Sequence, residues 1–420
     1  MNRSRRNIAR EPLTRSIMLS LLVAMLLLGS VSCAAQGPWD SSLSQITRPY
    51  RFSFFRWHLI QFAGLLRPVR IPREAQQDPT GYVQAYFALE TQARALQRAG
   101  QELRPEQRAE LVRMRSVAER IIADQVAEAF RAEGIYNPLD RFVHLPVMFP
   151  PVWFVFAPPP HILIVSPRDE IVQIRQVMLA QEMNVATMEQ IEAEVEALGL
   201  SALVTPIGGL AATYPAVVNT RTTLPRGIET VAEEWLHQYL AFTPTGFHFV
   251  LHLLHLRTNR EIAAINESLA HIVHEEIGER ILAEHYGILP APEPEPPAPE
   301  IEPVFDFRAY MRETRLQTDA LLAEGKIEAA EHYMEERRLM LQPEGYYIRK
   351  LNQAYFAFYG TYADAPGAIT TVGEEFQALR AESPSLRAFL SAAVTITTRE
   401  DLYRLLEEQG IRWSYLAPAH

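Results

Sequence analysis

A single cysteine, Cys33, in a chain of 420 residues excludes any intramolecular disulfide. Stability must come from packing alone, even in an oxidising compartment. No long run of Lys or Arg occurs and the formal net charge is −10, which argues against a nucleic-acid partner. The N-terminal apolar run, Ile17 to Leu28, falls short of the roughly 20 residues that span a bilayer comfortably. No internal repeat is found.

What is present begins with a core. A composition 48% hydrophobic and 21% charged supports a sizeable one, in two or three domain-sized units. Arg3, Arg5, Arg6, Arg10 and Arg15 precede the apolar run, and small residues from Gly29 to Ala35 follow it. Residues 1–35 thus have the layout of a secretory signal. Cys33 sits where a bacterial lipoprotein carries its acylated cysteine. Val31 and Ser32 suit such a lipobox, whereas Ser30 stands where Leu is usual. The expectation is lipid attachment at Cys33 and an extracytoplasmic, membrane-anchored protein, with secretion or a retained anchor helix as alternatives.

Residues 38–140 read as an N-terminal helical region. Within it, Pro49 to Pro68 interleaves aromatics with Arg51, Arg56 and Arg67. A buried first helix is the favoured reading and a membrane-surface helix the alternative. From Tyr82 to Phe130 two amphipathic helices are broken near Gly100 to Pro105. The second places Leu111, Met114, Val117, Ile121 and Val126 on one stripe.

Residues 141–289 differ in character. Pro150 to Phe156 and His161 to Val165 are short, β-branched or aromatic, and bounded by prolines, so they read as strands. Ser166-Pro167-Arg168-Asp169 reads as a capped helix start, and Thr187 as the cap of a helix ending at Gly199. Ser201 to Val218 returns to strand character, with Gly208-Gly209 as a bulge or turn. Helices over about Ile228 to Leu240 and Asn259 to Tyr286 follow. Residues 290–304, with seven prolines and four glutamates, read as an extended linker or loop. Residues 305–420 form a C-terminal helical region. The expected class is α+β, mostly α, with a small sheet ahead of two site helices.

Those helices carry the chemistry. In Glu233-Glu234-Trp235-Leu236-His237, Glu233 and His237 share a face one turn apart, and Glu234 lies one step around it. H-E-x-x-H on a helix holds Zn²⁺ between two histidines, with the Glu as general base. Here His237 and Glu234 keep their places and Glu233 takes the first ligand position, where carboxylate oxygen is an accepted donor. On the second helix Glu267, His271 and His274 form a polar stripe at i, i+4 and i+7. His248, His252 and His255 lie between the helices and read as a partly exposed face. A di-iron bundle needs two E-x-x-H motifs, and Glu234/His237 is the only convincing one.

The pair Asn266-Glu267, with Glu267 thirty residues after His237, resembles the gluzincin (thermolysin-like) zinc metallopeptidases over about Ile228 to Tyr286. In that group a downstream N-E helix supplies the third zinc ligand. An Asp four residues after that Glu orients the first zinc-binding His, and His271 stands there in this chain. The resemblance implies a gluzincin-like core holding Zn²⁺ or another divalent metal, with two ligand sets open. In one, Glu233, His237 and Glu267 bind the metal and His271 steadies Glu233. In the other, His237, Glu267 and His271 bind it and Glu233 orients. Either set implies hydrolysis of a peptide or protein substrate through a metal-bound water, with Glu234 as general base. It further implies an oxyanion donor after the N-E helix, for which Arg349, Asn352, Tyr355 and Tyr359 are candidates, and substrate strand addition along Ser201 to Val218. The competing expectation is an inactive peptidase-fold envelope lipoprotein serving as a binding or assembly module.

Overall fold

A computed structural model of the protein describes residues 38–65, 69–140, 147–253, 256–257, 259, 261–290, 305–360 and 371–411, without the side chains of 62–65. The expectations for the signal, Cys33, His255 and the Pro/Glu segment 291–304 lie outside the described residues. Among those described, no helix is long and apolar enough to cross a membrane. At 61% helix and 8% strand the chain is α+β and mostly α.

The N-terminal region opens with α1 (Asp40–Thr47), a single 3₁₀ turn, and α2 (Phe54–Leu65). α2 buries Trp57 and His58 but turns Phe55, Leu59 and Ile60 to solvent, so the expectation of a buried first helix holds for one face only. The buried His58 is fully used: Nδ1–H donates to Phe54 O at 2.8 Å and Nε2 accepts the Tyr214 N–H at 3.3 Å. Burial holds it neutral, below its ordinary value. After the short α3 (Arg73–Gln77), α4 (Pro79–Arg98) and α5 (Pro105–Ala132) are separated at Gly100 to Pro105. All five apolar residues of the α5 stripe are buried.

Two three-stranded sheets follow. β1 (Phe154–Phe156), β2 (His161–Pro167) and β3 (Arg175–Leu179) precede α6 (Val185–Glu196), which leads into β4 (Leu200–Pro206), β5 (Gly209–Leu210) and β6 (Ala216–Val218). One sheet is antiparallel with order β3-β2-β4; the other has order β1-β6-β5 with β1 and β6 parallel. Ser166 does not cap a helix. Its hydroxyl donates to Glu170 O at 3.0 Å and accepts the Val172 N–H at 3.2 Å, closing the loop that returns the chain into β3. Ser and Asp stabilise such turns by the same bonds they use at helix caps, which is why the segment reads either way. The cap of α6 is Asn184, whose side chain accepts the Thr187 N–H at 2.8 Å. Thr187 is the capped residue.

The core is built around α7 (Leu224–Leu240) and α9 (Ile262–Tyr286), with α8 (Pro244–Leu253) between them. Ile228, Val231, Trp235 and Leu236 of α7 and Ile265, Leu269, Val273 and Ile277 of α9 are all buried in one cluster. Close approach is possible because α9 offers Gly278, where a Cβ would come within 2.9 Å of Glu229 Cγ. Trp235 packs 4.3 Å from Phe130 of α5 between ring centroids, and its Nε1–H donates to Pro150 O at 2.8 Å. Register along α7 is therefore set by packing, and the polar face of the helix is fixed with it.

Beyond residue 304 come α10 (Phe307–Ala323), α11 (Ile327–Met340), α12 (Gln353–Tyr359), α13 (Val372–Glu382), α14 (Leu386–Ala393) and α15 (Arg399–Glu408). Ala354 of α12 packs on Ile162, Ile164 and Leu203 of the β3-β2-β4 sheet. Phe376, Leu379, Phe389 and Leu390 of α13 and α14 instead join the α7–α9 core.

Glu119 of α5 is a half-buried acid with a plain consequence away from the site. Its carboxylate accepts the Phe156 N–H at 2.6 Å, yet desolvation pushes it up to about 8, against the opposing pull of that bond and of Arg115. The folded protein then holds a proton that the unfolded chain releases above about 4.5. Stability is greatest below that value and falls as pH rises toward about 8. Glu119→Gln keeps an acceptor for Phe156 and removes the titration. Urea unfolding across this range is expected to show a flatter pH dependence in the variant, by an amount on the order of a few kcal/mol.

Candidate metal centre

Glu233, His237 and Glu267 each direct one ligand atom to a common point, and these atoms lie within 4.8 Å of one another. The first two come from successive turns of α7, the third from α9 facing it. Burial of Trp235 and Leu236 on the opposite side of α7 leaves Glu233 and His237 only one way to point. His237 Nε2 is 3.6 Å from Glu267 Oε2. Glu234 follows on the same wall, buried under the edge strand β5.

That enclosure depends on glycine. A Cβ on Gly209 would fall 2.0 Å from Glu234 Oε1, so the bare backbone of β5 is what lets the carboxyl occupy its place. The N–H of Ala211, just beyond β5, donates to Glu234. Gln238 holds this stretch of chain from beneath, donating from Nε2 to Ala211 O at 3.2 Å and to Thr213 O at 2.9 Å.

Burial and then the neighbouring Glu233 and Glu267 carboxylates drive Glu234 well above the ordinary carboxylate range, with the Ala211 N–H opposing. Glu267 is pushed up to about 8 by burial and then by Glu233, with His271 opposing. Burial lowers His237 despite the pull of Glu233, so its imidazole is neutral. Among the described residues no lysine or arginine pairs with any of the three acids. The half-buried carboxyls of Glu233 and Glu267 beside a neutral imidazole are donor types that a divalent cation accepts.

The side of His237 away from the triad meets the Asn266 amide, 2.9 Å from Nδ1. Asn266 Oδ1 is buried and has no hydrogen-bond partner in the arrangement with Nδ2 toward the ring. The isosteric amide rotation places Oδ1 against Nδ1–H and leaves the Nε2 lone pair facing the triad, the tautomer a metal ligand needs. A metal held at this candidate site would therefore bind about 10–100-fold more weakly to Asn266→Ala by titration calorimetry, the usual cost of losing such a partner. Unaltered affinity would mean that Asn266 serves packing only.

The remaining candidates disperse. His271 lies outside the triad, with Nε2 3.8 Å from Glu275 Oε2 and its ring 5.1 Å from that of His274. Of the two expected ligand sets, the geometry assembles the one with Glu233. His274 is buried, donates from Nδ1 to Ala270 O at 3.0 Å, and is pushed down to about 3 by desolvation. His252 Nδ1 accepts the Asn259 N–H at 3.3 Å, and His248 Nε2 lies 3.5 Å from an Arg257 nitrogen. Asn352 cannot serve as an oxyanion donor. Its Oδ1 caps α12 by accepting the Tyr355 N–H at 2.9 Å, while Nδ2 donates to Ala202 O at 2.9 Å. Tyr355 is packed against Tyr359 with ring centroids 4.5 Å apart. Tyr359 alone of the four lines the cleft, its hydroxyl 3.2 Å from Thr205 Oγ1.

That cleft, of about 1630 Å³, holds Glu233, Glu234, His237 and Glu267 on one wall and apolar side chains such as Phe52, Ile207, Leu210 and Phe242 elsewhere. Gln238 carries no expectation from sequence, Gly209 only that of a bulge or turn, and Asn266 only its place beside Glu267. The roles of Gly209 and Gln238 beside Glu234 emerge only once β5 is placed over α7. Searches of protein-family models, curated proteins and solved structures return no match to this chain.

Proposed function

We propose that the protein is a metal-dependent peptidase whose cation is held by Glu233, His237 and Glu267. The convergence of these three ligand atoms within 4.8 Å, with Glu234 adjacent, carries the reading. A divalent cation there supplies Lewis-acid polarisation of water and of the scissile carbonyl. Glu234 accepts the proton from the attacking water and returns it to the leaving amine. A cation on Glu233 and Glu267 would offset the two acids that keep Glu234 protonated, and the ionised, desolvated carboxylate would then be the stronger base. The Ala211 N–H and the bare backbone of Gly209 keep the Glu234 carboxyl in place. Tyr359 is the remaining candidate to donate to the oxyanion. The outer edge of β5, unpaired within its sheet, suits an extended peptide backbone.

Purified protein is expected to carry about one divalent metal per chain by elemental analysis and to gain thermal stability on adding Zn²⁺. A metal-free protein with no thermal response would overturn the proposal. The occurrence of Glu at position 233 favours a second reading, an inert peptidase-like scaffold in the cell envelope. Glu233→His separates the two. A rise in metal affinity or proteolysis supports a weakened enzyme, and an unresponsive variant supports the scaffold.

A further inference from the structure

Helix α2 presents to solvent a face that soluble proteins ordinarily make polar. Phe55 is 67% exposed, Leu59 54% and Ile60 55%. With the exposed Arg56 they occupy i, i+1, i+4 and i+5, one continuous stripe, while Trp57 and His58 face inward. The surrounding sequence is as unusual. From residue 41 to residue 73 there are six arginines and no Asp or Glu, in a chain whose net charge is −10. Arg48, Arg56, Arg70 and Arg73 are exposed, as is Val69 at 47%.

We infer that this face docks on an anionic lipid bilayer. Apolar side chains flanked by arginines, with no acid among them, match the boundary between acyl chains and negatively charged headgroups. A second copy of the chain is a poorer occupant. A twofold contact through this stripe would bring Arg56 and its neighbouring arginines face to face with themselves. The substrate cleft does not use the stripe either: Phe52 and Phe54 line it, whereas Phe55, Leu59 and Ile60 do not. Docking thus sets one edge of the cleft beside the membrane surface. The inference is independent of the chemistry at the triad and would stand if the site held no metal.

The test uses the full chain with Cys33→Ser and Leu59→Cys, leaving one thiol for an environment-sensitive fluorophore. The protein is reconstituted with phosphatidylcholine vesicles that contain phosphatidylglycerol and nitroxide-labelled acyl chains. The dye at position 59 is expected to shift its emission to the blue and to be quenched, while the dye at Val112→Cys, a position 62% exposed on α5, shows neither. Adding Arg56→Glu is expected to raise the lipid concentration for half-maximal quenching about tenfold. An unshifted dye at position 59 overturns the inference, as does equal quenching at both positions. A shift that needs no lipid and grows with protein concentration assigns the face to a second copy and overturns it too. Equal response with phosphatidylcholine alone overturns it as well, because anionic headgroups then play no part.

Discussion

Glu234→Gln is expected to lower turnover of a peptide substrate by about 10²–10⁴-fold, the span a positioned proton acceptor contributes. Metal content should stay at the parent level, because Glu234 is not among the three converging ligands. The substitution is close to isosteric. Its amide oxygen can still accept the Ala211 N–H that the carboxylate accepts, so β5 should remain seated over α7. Folding should not suffer either. Burial and two neighbouring acids already disfavour the charged form of Glu234, and a neutral amide removes that strain, so the urea midpoint is expected to hold or rise. Three readouts together make the result decisive. Loss of turnover with metal and stability intact assigns the proton transfer to Glu234. Turnover at the parent rate removes Glu234 from the chemistry. Loss of metal together with turnover reports a collapsed site.

The α7 and α9 helices were legible because apolar spacing and polar stripes agree on the same faces. Ile228, Val231, Trp235 and Leu236 bury one side of α7, which leaves Glu233 and His237 to point together from the other. Their convergence with Glu267 follows from two helices packed side by side, which periodicity alone suggests. The partners that tune the site were not legible. Gly209 and Ala211 reach Glu234 only through the placement of β5, and a two-residue edge strand has no periodicity to read. The β3 strand escaped for a related reason. Ser166 satisfies backbone groups in a loop as readily as at a helix start, and only the pairing of Arg175 to Leu179 with β2 decides between them. Asn352 shows the reverse error. Polar groups among aromatics suggested catalysis, but the amide is spent on a helix cap and a strand carbonyl. A polar residue in an aromatic helix more often secures the helix than serves a reaction.

The ion pair that secures this region sets the last prediction. Glu192 of α6 is 1% exposed. Its carboxylate accepts the Val204 N–H at 2.6 Å and two bonds from the Arg349 guanidinium at 2.5 and 2.9 Å. Arg349 also donates to Val204 O at 2.7 Å, and Lys350 reaches the same carboxylate at 3.5 Å. One acid thus joins α6, the edge of β4 and the segment leading into α12. Glu192→Ala strands a guanidinium that is only 23% exposed and an unpartnered N–H on β4. Breaking a buried pair in this way costs about 3–5 kcal/mol, and the residual exposure of Arg349 places the loss near the lower end, about 3 kcal/mol. Chemical denaturation should show it as a reduced midpoint. Glu192→Met with Arg349→Met removes both charges together and should lose less than the single variant, because no lone ion remains. A single-variant loss under about 1 kcal/mol would mean that solvent already screens the pair. The same clamp bears on the cleft. Tyr359 ends α12 and lines the cavity that holds the Glu233–His237–Glu267 triad, so loosening the start of α12 releases one wall of the site while every metal ligand stays in place. Glu192→Ala should therefore depress turnover at unchanged metal content and be rescued in part by Glu192→Gln, which keeps an acceptor for Val204. The pattern separates a positioning effect from any direct role in the chemistry.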